Sequence, residues 1–181
     1  MQGFVLLGRE DHGVELTASY DRGPWSVYGN LAYSRAIGKG IETAQFNFTP
    51  QVLAYSASHW IFLDHDQTVT GSGGVAYTAN RNTRNPTLLS ADLVYGSGLR
   101  ADEGSGADLI PNGAEVPGYY TVNGSIVQQL NFAGWHGASV RLDVLNLFDR
   151  TYELREGSGV GVYAPQYGER RTILVGVSQK F

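Results

Sequence analysis

None of the 181 residues is a cysteine, one is methionine, and no hydrophobic run is long. Without cysteine there is neither a disulfide framework nor a thiolate metal site. The longest oily stretches, Phe4 to Leu7 and Trp60 to Leu63, fall far short of the roughly 18 to 20 apolar residues that a membrane-spanning helix needs. Basic residues are also sparse. Thirteen Lys and Arg stand against 17 Asp and Glu, a formal charge of -4, and no basic cluster is present to neutralise phosphates. Nucleic acid is therefore not an expected partner.

What the chain does have is 24 Gly, 11 Tyr, 7 Phe and 3 Trp, a stock of turn formers and β-preferring aromatics. This composition predicts an all-β protein in one domain. The mean hydropathy of -0.20 is that of a water-soluble protein. A transmembrane β-barrel has the same average, because every second residue faces water or the lumen.

Strict apolar/polar alternation predicts seven strands: 12–20, 25–34, 67–79, 87–96, 119–132, 138–148 and 169–181. One parity is apolar throughout. It carries Val14, Leu16 and Tyr20, then Trp25, Val27, Leu31 and Tyr33, then Val69, Val75 and Tyr77. Leu89, Leu93 and Tyr95 continue it, followed by Tyr120, Val122, Ile126 and Leu130, and by Val140, Leu142 and Val144. The opposite parity is small or polar, with Glu15, Thr17, Asn30, Ser72, Asp92, Asn123, Arg141 and Asp143. Predicted connections alternate in length. They are short after the first, third and fifth strands and long near 37–66, 97–118 and 149–168. Antiparallel barrels of the outer membrane have short periplasmic turns, long extracellular loops and about ten residues per tilted strand.

With the short turns placed on the periplasmic side, the outward aromatics sort into two bands. Tyr20, Trp25, Tyr77, Phe132 and Phe181 lie low, and Tyr33, Tyr95, Tyr120 and Phe148 lie high. Two aromatic girdles with aliphatics between them are expected of a lipid-facing surface. The final strand places Ile173, Val175, Val177 and Phe181 on one face, with Gln179 the polar exception, and stops on the aromatic residue. Such an ending is typical of bacterial outer-membrane barrels, where it acts as the C-terminal assembly signal. Within the first long connection one helix is expected, with Thr49 as N-cap, Pro50 at the first helical position and Gln51 to Ser58 following.

The stretch Arg141 to Phe181 contains Asn146, Leu147, Phe148, Asp149 and Tyr152, an Asn-Leu-Phe-Asp-x-x-Tyr signature that leads through a loop to a last strand closing on Phe. In this it resembles the C-terminal end of TonB-dependent outer-membrane receptors. Gly13 to Leu16 with Ser19-Tyr20, Leu63 to Gln67 and Tyr95 to Arg100 are similar to that family as well. The resemblance implies a barrel of about 22 strands plugged by an N-terminal domain, of which seven strands are roughly the last third. It implies a partial transmembrane β-barrel in the Gram-negative outer membrane, with its C-terminus periplasmic. The function implied is active uptake of a scarce nutrient such as a ferric siderophore or similar chelate. Lipid, lipopolysaccharide, the barrel assembly machinery and, through a plug domain, the TonB complex are the implied partners. Plug, TonB-contacting segment and export signal have no counterpart here, so the chain is expected to be a fragment. Gln179 departs from the family, where an aromatic is usual.

Asp64-His65-Asp66 is the most ligand-like cluster, expected at the lip of the third strand as a possible substrate-facing loop. It lacks the further oxygen ligand and glycine of a calcium loop, and its default reading is a solvated rim. His59 and His65 have no nucleophile motif beside them, and no Gly-Ser-Gly run precedes the Lys-Ser/Thr of a phosphate loop. No enzyme activity, metal or cofactor is expected. The acidic residues Asp102, Glu103, Asp108 and Glu115 are expected to be solvated surface. Two other architectures fit the pattern: a small closed barrel of eight strands in which Gly3 to Arg9 adds a strand, and a soluble β-sandwich binding module.

Overall fold

The computed structural model describes residues 5–42, 48–132, 135–158 and 164–179. The first turn sets its geometry. Gly23, at φ +59°, and Pro24 reverse the chain between β1 (Val5–Arg22) and β2 (Trp25–Glu42). A positive φ is open to glycine at little cost, and the proline cannot continue a ladder. Helix α1 (Pro50–Ser58) and β3 (Ile61–Phe62) follow, then β4 (Val69–Ala79), β5 (Thr87–Gly96), β6 (Arg100–Glu103) and β7 (Ile110–Glu115). The chain continues through β8 (Tyr119–Phe132), β9 (Trp135–Leu145), β10 (Glu153–Arg155), β11 (Gln166–Tyr167) and β12 (Thr172–Gln179).

The main sheet runs in the order β1-β2-β4-β5-β8-β9-β12, an antiparallel meander of seven long strands, with β3 paired to β2. The fold is therefore all-β and antiparallel, and its seven long strands are the seven that the alternation predicts. Short connections lie at one end of the sheet and long ones at the other. The helix is also as predicted: Thr49 Oγ1 accepts from the Val52 N–H at 3.3 Å and Pro50 opens the first turn.

Register keeps one parity together across the whole sheet. Leu16 pairs with Leu31, Trp25 with Tyr77, Tyr77 with Leu89, Leu89 with Ile126, Ile126 with Leu142 and Leu142 with Val175. No protein layer covers this face among the described residues. Leu89, Leu93, Ile126 and Leu142, in the middle of the sheet, are 39–46 % exposed, and Val175 on the edge strand is 72 % exposed. Along its length the aromatic residues keep their two levels. Tyr20, Trp25, Tyr77 and Phe132 lie toward the short connections, while Tyr95 and Tyr120 form a cross-strand pair toward the long ones. Phe181 lies outside the described residues.

Several expectations need correction. The first hairpin is longer than its alternation shows, because pairing continues from His12↔Arg35 to Val5↔Glu42, beyond the expected strands 12–20 and 25–34. Backbone ladders close without alternating side chains, so Gly38, Lys39 and Gly40 extend β2 rather than opening the loop at Ile37. The eight-stranded closed barrel is not formed: residues Val5 to Arg9 continue β1 instead of adding a strand, and β1 and β12 are not paired among the described residues. Gly3 and Phe4 lie outside the described residues. The sixth strand ends at Leu145 rather than Phe148, because Asn146 turns to φ +47°. Finally, the polar parity is not uniformly polar, since Tyr28, Leu88, Val94 and Leu174 are exposed on it. Gly74 leaves room for the Tyr28 ring, which would lie 2.5 Å from any Cβ placed there.

The buried core sits at the long-connection end. Ile37, Val52, Ile61, Leu63, Ala101 and Val116 are buried there, where α1 packs on β2 and β7, and β3 packs on β2 and β7. Away from it Ala138 on β9 is also buried, but among the described residues the sheet itself has no such layer.

Candidate functional site

At this end the long connections are tied into one layer around Arg100. Its guanidinium is held against Asp66 Oδ2 by Nε at 2.9 Å and Nη2 at 2.7 Å. The same Nη2 donates to Thr68 Oγ1 at 2.7 Å, and Nη1 lies 2.9 Å from Glu115. The guanidinium also stacks 3.6 Å above the Phe62 ring. Asp66 is only 2 % exposed, and its other oxygen accepts from the Ala36 N–H at 2.6 Å. A buried ion pair repays its desolvation only when the remaining donors and acceptors are satisfied, and both Asp66 oxygens are engaged, Oδ2 by Arg100 and Oδ1 by the Ala36 N–H.

The three residues of the Asp64-His65-Asp66 cluster diverge. Asp66 points into the Arg100 cluster. Asp64 joins the first long connection to the last, accepting from Arg155 Nη1 at 3.0 Å, and lies 3.1 Å from His65 Nδ1. His65 is exposed. Two further links complete the layer: Asn112 Nδ2 donates to the Phe62 carbonyl at 2.8 Å, and the Asp102 N–H donates to Ser158 Oγ at 2.9 Å. Of the acidic residues expected to be solvated, Glu103, Asp108 and Glu115 are exposed, Glu115 being engaged by Arg100 and Thr68 as well, whereas Asp102 is half-buried and accepts from the Asn112 N–H at 3.0 Å. Arg100, Asn112, Arg155 and Ser158 were not singled out by the sequence pattern. Arg100 and Asp66 are 34 residues apart, Asn112 and Phe62 50, Ser158 and Asp102 56, and Arg155 and Asp64 91, and only the fold brings these pairs together.

The signature residues form a second constellation, a clasp between β8, β9 and the entry to β12. The N–H of Asn146, a residue only 3 % exposed, donates to Asn123 Oδ1 at 2.9 Å. Its side-chain amide donates to the Arg150 and Glu169 carbonyls at 2.8 and 2.9 Å, and its Oδ1 accepts from the Arg150 N–H at 3.0 Å. The Leu147 N–H reaches back to the Val122 carbonyl at 2.7 Å. Asp149, also at positive φ, takes Arg170 in a two-pronged ion pair at 2.8 and 2.7 Å and accepts the Arg171 N–H at 3.0 Å. Hydrogen bonding from Arg170, then from the Arg171 backbone, holds the Asp149 carboxyl far below the usual carboxylate range. Tyr152 stacks on Tyr119 at 4.6 Å and crosses Gly168, where a Cβ would meet its ring at 1.9 Å. Phe148 projects outward and is exposed. Asn and Asp tolerate the left-handed region better than other residues with side chains, which accounts for both turn positions.

Between rim and short turns, the polar parity is cross-linked. Ser72 donates to Asn30 at 3.3 Å, Asn123 to Asp92 at 2.7 Å and Arg141 to Asp143 at 2.8 and 2.6 Å, and the Ser139 and Ser178 hydroxyls lie 2.8 Å apart. The apolar parity carries a hollow of about 400 Å³ where the small pair Ala91 and Gly124 is flanked by Val75, Tyr77, Leu89 and Leu142. Among the described residues no three His, Asp or Glu side chains gather as a metal site. Compared with known proteins, the chain matches no family model and no curated protein.

Proposed function

We propose that the sheet is a section of the wall of a transmembrane β-barrel, belonging to a TonB-dependent outer-membrane receptor for a scarce nutrient such as a ferric siderophore. The observation that carries this reading is the division of one seven-stranded sheet into an uncovered apolar face and a hydrogen-bonded polar one. In water an apolar face this wide would need a second layer. In a bilayer, hydrocarbon is that layer and the polar parity lines the lumen.

The spacing of the aromatic levels supports it. Trp25 and Tyr33 are eight residues apart, about 27 Å along a strand and about 20 Å of depth at a tilt of roughly 40°, close to the apolar band of about 25 Å in such barrels. Among the described residues β1 and β12 each pair on one side only, which supports a larger barrel, because an unpaired edge in lipid leaves polar backbone groups unsatisfied. In this reading the tied loop layer is extracellular, the short turns are periplasmic, lipid and lipopolysaccharide contact the apolar parity, and the assembly machinery reads the last strand. In this reading the barrel wall works with a plug domain and, through it, with the TonB complex.

Fractionation of the native host, probed with an antibody raised against residues 102–115, tests the proposal. An outer-membrane band much larger than this chain supports the receptor. A detergent-independent soluble monomer contradicts it and favours the sandwich.

A further inference from the structure

The hollow over Ala91 and Gly124 opens toward the short turns, and there its border ceases to be apolar. The row beside it runs Arg22, Trp25, Tyr77, Leu89 in register across β1, β2, β4 and β5. Arg22 shares the parity of Tyr20 and so stands on the apolar face, whereas its acidic neighbour Asp21 stands on the other. Arg81, in the turn after β4, reaches over to the first hairpin, where a Cβ placed on Gly23 would lie 3.8 Å from its Nη1. Both arginines are exposed, and among the described residues neither guanidinium has a hydrogen-bond or ion-pair partner. Trp25 and Tyr77 wall the hollow on this side, their ring centroids 4.6 Å apart and tilted by 47°.

Nothing within the sheet requires glycine at 124. Its φ lies outside the left-handed region, and a Cβ there would come no nearer than 4.0 Å to another strand, at the Ser90 carbonyl. Glycine weakens a strand interior, and where internal geometry does not call for it, it commonly marks a close approach from outside. A second copy of the sheet does not fit, because a two-fold contact would set hollow against hollow and arginines against arginines.

We infer that this corner of the apolar face holds one anionic glycerophospholipid, with its phosphate at Arg22 and Arg81, its glycerol beside Trp25 and Tyr77, and an acyl chain in the hollow over Ala91 and Gly124. The inference deepens the membrane reading and rests on it. Guanidinium groups are well matched to phosphate oxygens, tryptophan and tyrosine rings settle at headgroup level, and a hollow of about 400 Å³ with apolar and aromatic walls is of ligand size. Charge and apolar surface thus meet in the order that an anionic lipid presents them.

Trp25 can report on the site in the full chain in detergent once Trp60 and Trp135 are replaced by phenylalanine. Its quenching by phosphatidylglycerol or phosphatidylcholine brominated on the acyl chains measures occupancy. Phosphatidylglycerol should be preferred at least about fivefold, the effect of one arginine near an anionic headgroup. The double variant Arg22→Gln and Arg81→Gln, altered only at exposed positions, should lose that preference. Gly124→Leu should lower occupancy by both lipids at least about fourfold, through the lost burial of one methylene. Equal quenching by the two lipids in the parent, a preference that survives in the double variant, or unchanged occupancy in Gly124→Leu would each overturn the inference. Displacement by glycerol phosphate would also overturn it, by making the occupant a free phosphate. Those results leave the lipid-facing sheet standing as long as brominated phosphatidylcholine still quenches Trp25. Quenching by neither lipid, in a chain that stays soluble without detergent, would overturn both readings.

Discussion

Asp149 grips Arg170 with both carboxylate oxygens, at 2.8 and 2.7 Å, and so joins the turn after β9 to the entry of β12. With Asn146 behind it, this pair makes the Asn-Leu-Phe-Asp-x-x-Tyr signature a joint between the last two long strands. The joint lies at the rim, beyond the strand ends.

Acid should open that joint. The native Asp149 carboxyl is depressed, so its stabilising contribution is complete above the unfolded aspartate pKa of about 3.9. It is lost progressively as pH falls below that value toward the native one. Hydrogen exchange at the first amides of β12 should accelerate below about pH 4 in the parent. In Asp149→Asn exchange there should be fast already at neutral pH and flat with acid. An identical acid profile in both proteins would show that another carboxylate controls the joint.

Asn146 should be costly to replace. Alanine removes three side-chain hydrogen bonds from a buried position and puts an ordinary residue at φ +47°, a loss of about 2–4 kcal/mol. Glycine restores the backbone freedom and should recover about 1 kcal/mol of it. Urea unfolding in detergent measures both, and an alanine variant as stable as the glycine one would remove the backbone part of the explanation.

Arg100→Met should disturb the loop layer and leave the sheet intact. It strands the buried Asp66 charge, a penalty of about 3–5 kcal/mol for breaking a buried pair from one side. Amides around Ile37 and Leu63 should lose exchange protection while those of β5 and β8 keep theirs. Adding Asp66→Leu should return part of the loss, because both charges are then gone. Uniform loss across sheet and loops would contradict a local role.

Faces should respond unequally to charge. Leu142 lies between Ile126 and Val175 on the apolar parity, and Arg141 is paired with Asp143 on the polar one. In a bilayer Leu142→Arg should cost roughly 2–4 kcal/mol at mid-depth and reduce assembly sharply. Arg141→Leu should have a small effect. Equal assembly yields for the two variants would refute the assigned faces.

The long strands were legible because period-two alternation is written residue by residue, and the helix because Thr49 and Pro50 announce its start. Val5 to Arg9 and Ile37 to Glu42 were not, since an extended hairpin needs only backbone pairing and β2 carries two glycines there. The loop layer was least legible. Asp64-His65-Asp66 drew attention as a cluster, yet the partners of its two aspartates, Arg100 and Arg155, lie in other connections, and no local pattern marks a pair formed 34 or 91 residues apart. Asn146 and Asp149 stood out by resemblance alone. Their work in the clasp became visible only with the positive φ angles and with Glu169 and Arg170 in place.

The absence of cysteine opens the most direct measurement, because single cysteines can be introduced without competition. Nitroxide labels at Leu93, Val122 and Val175, and in parallel at Ser72, Asp92 and Ser178, would be read in outer-membrane preparations for collision with oxygen and with a water-soluble nickel chelate. The expected result is high oxygen and low nickel access at the first three positions, and the reverse at the second three. Low access to both reagents at Leu93, Val122 and Val175, the signature of a sealed protein interior, would contradict a lipid-facing sheet.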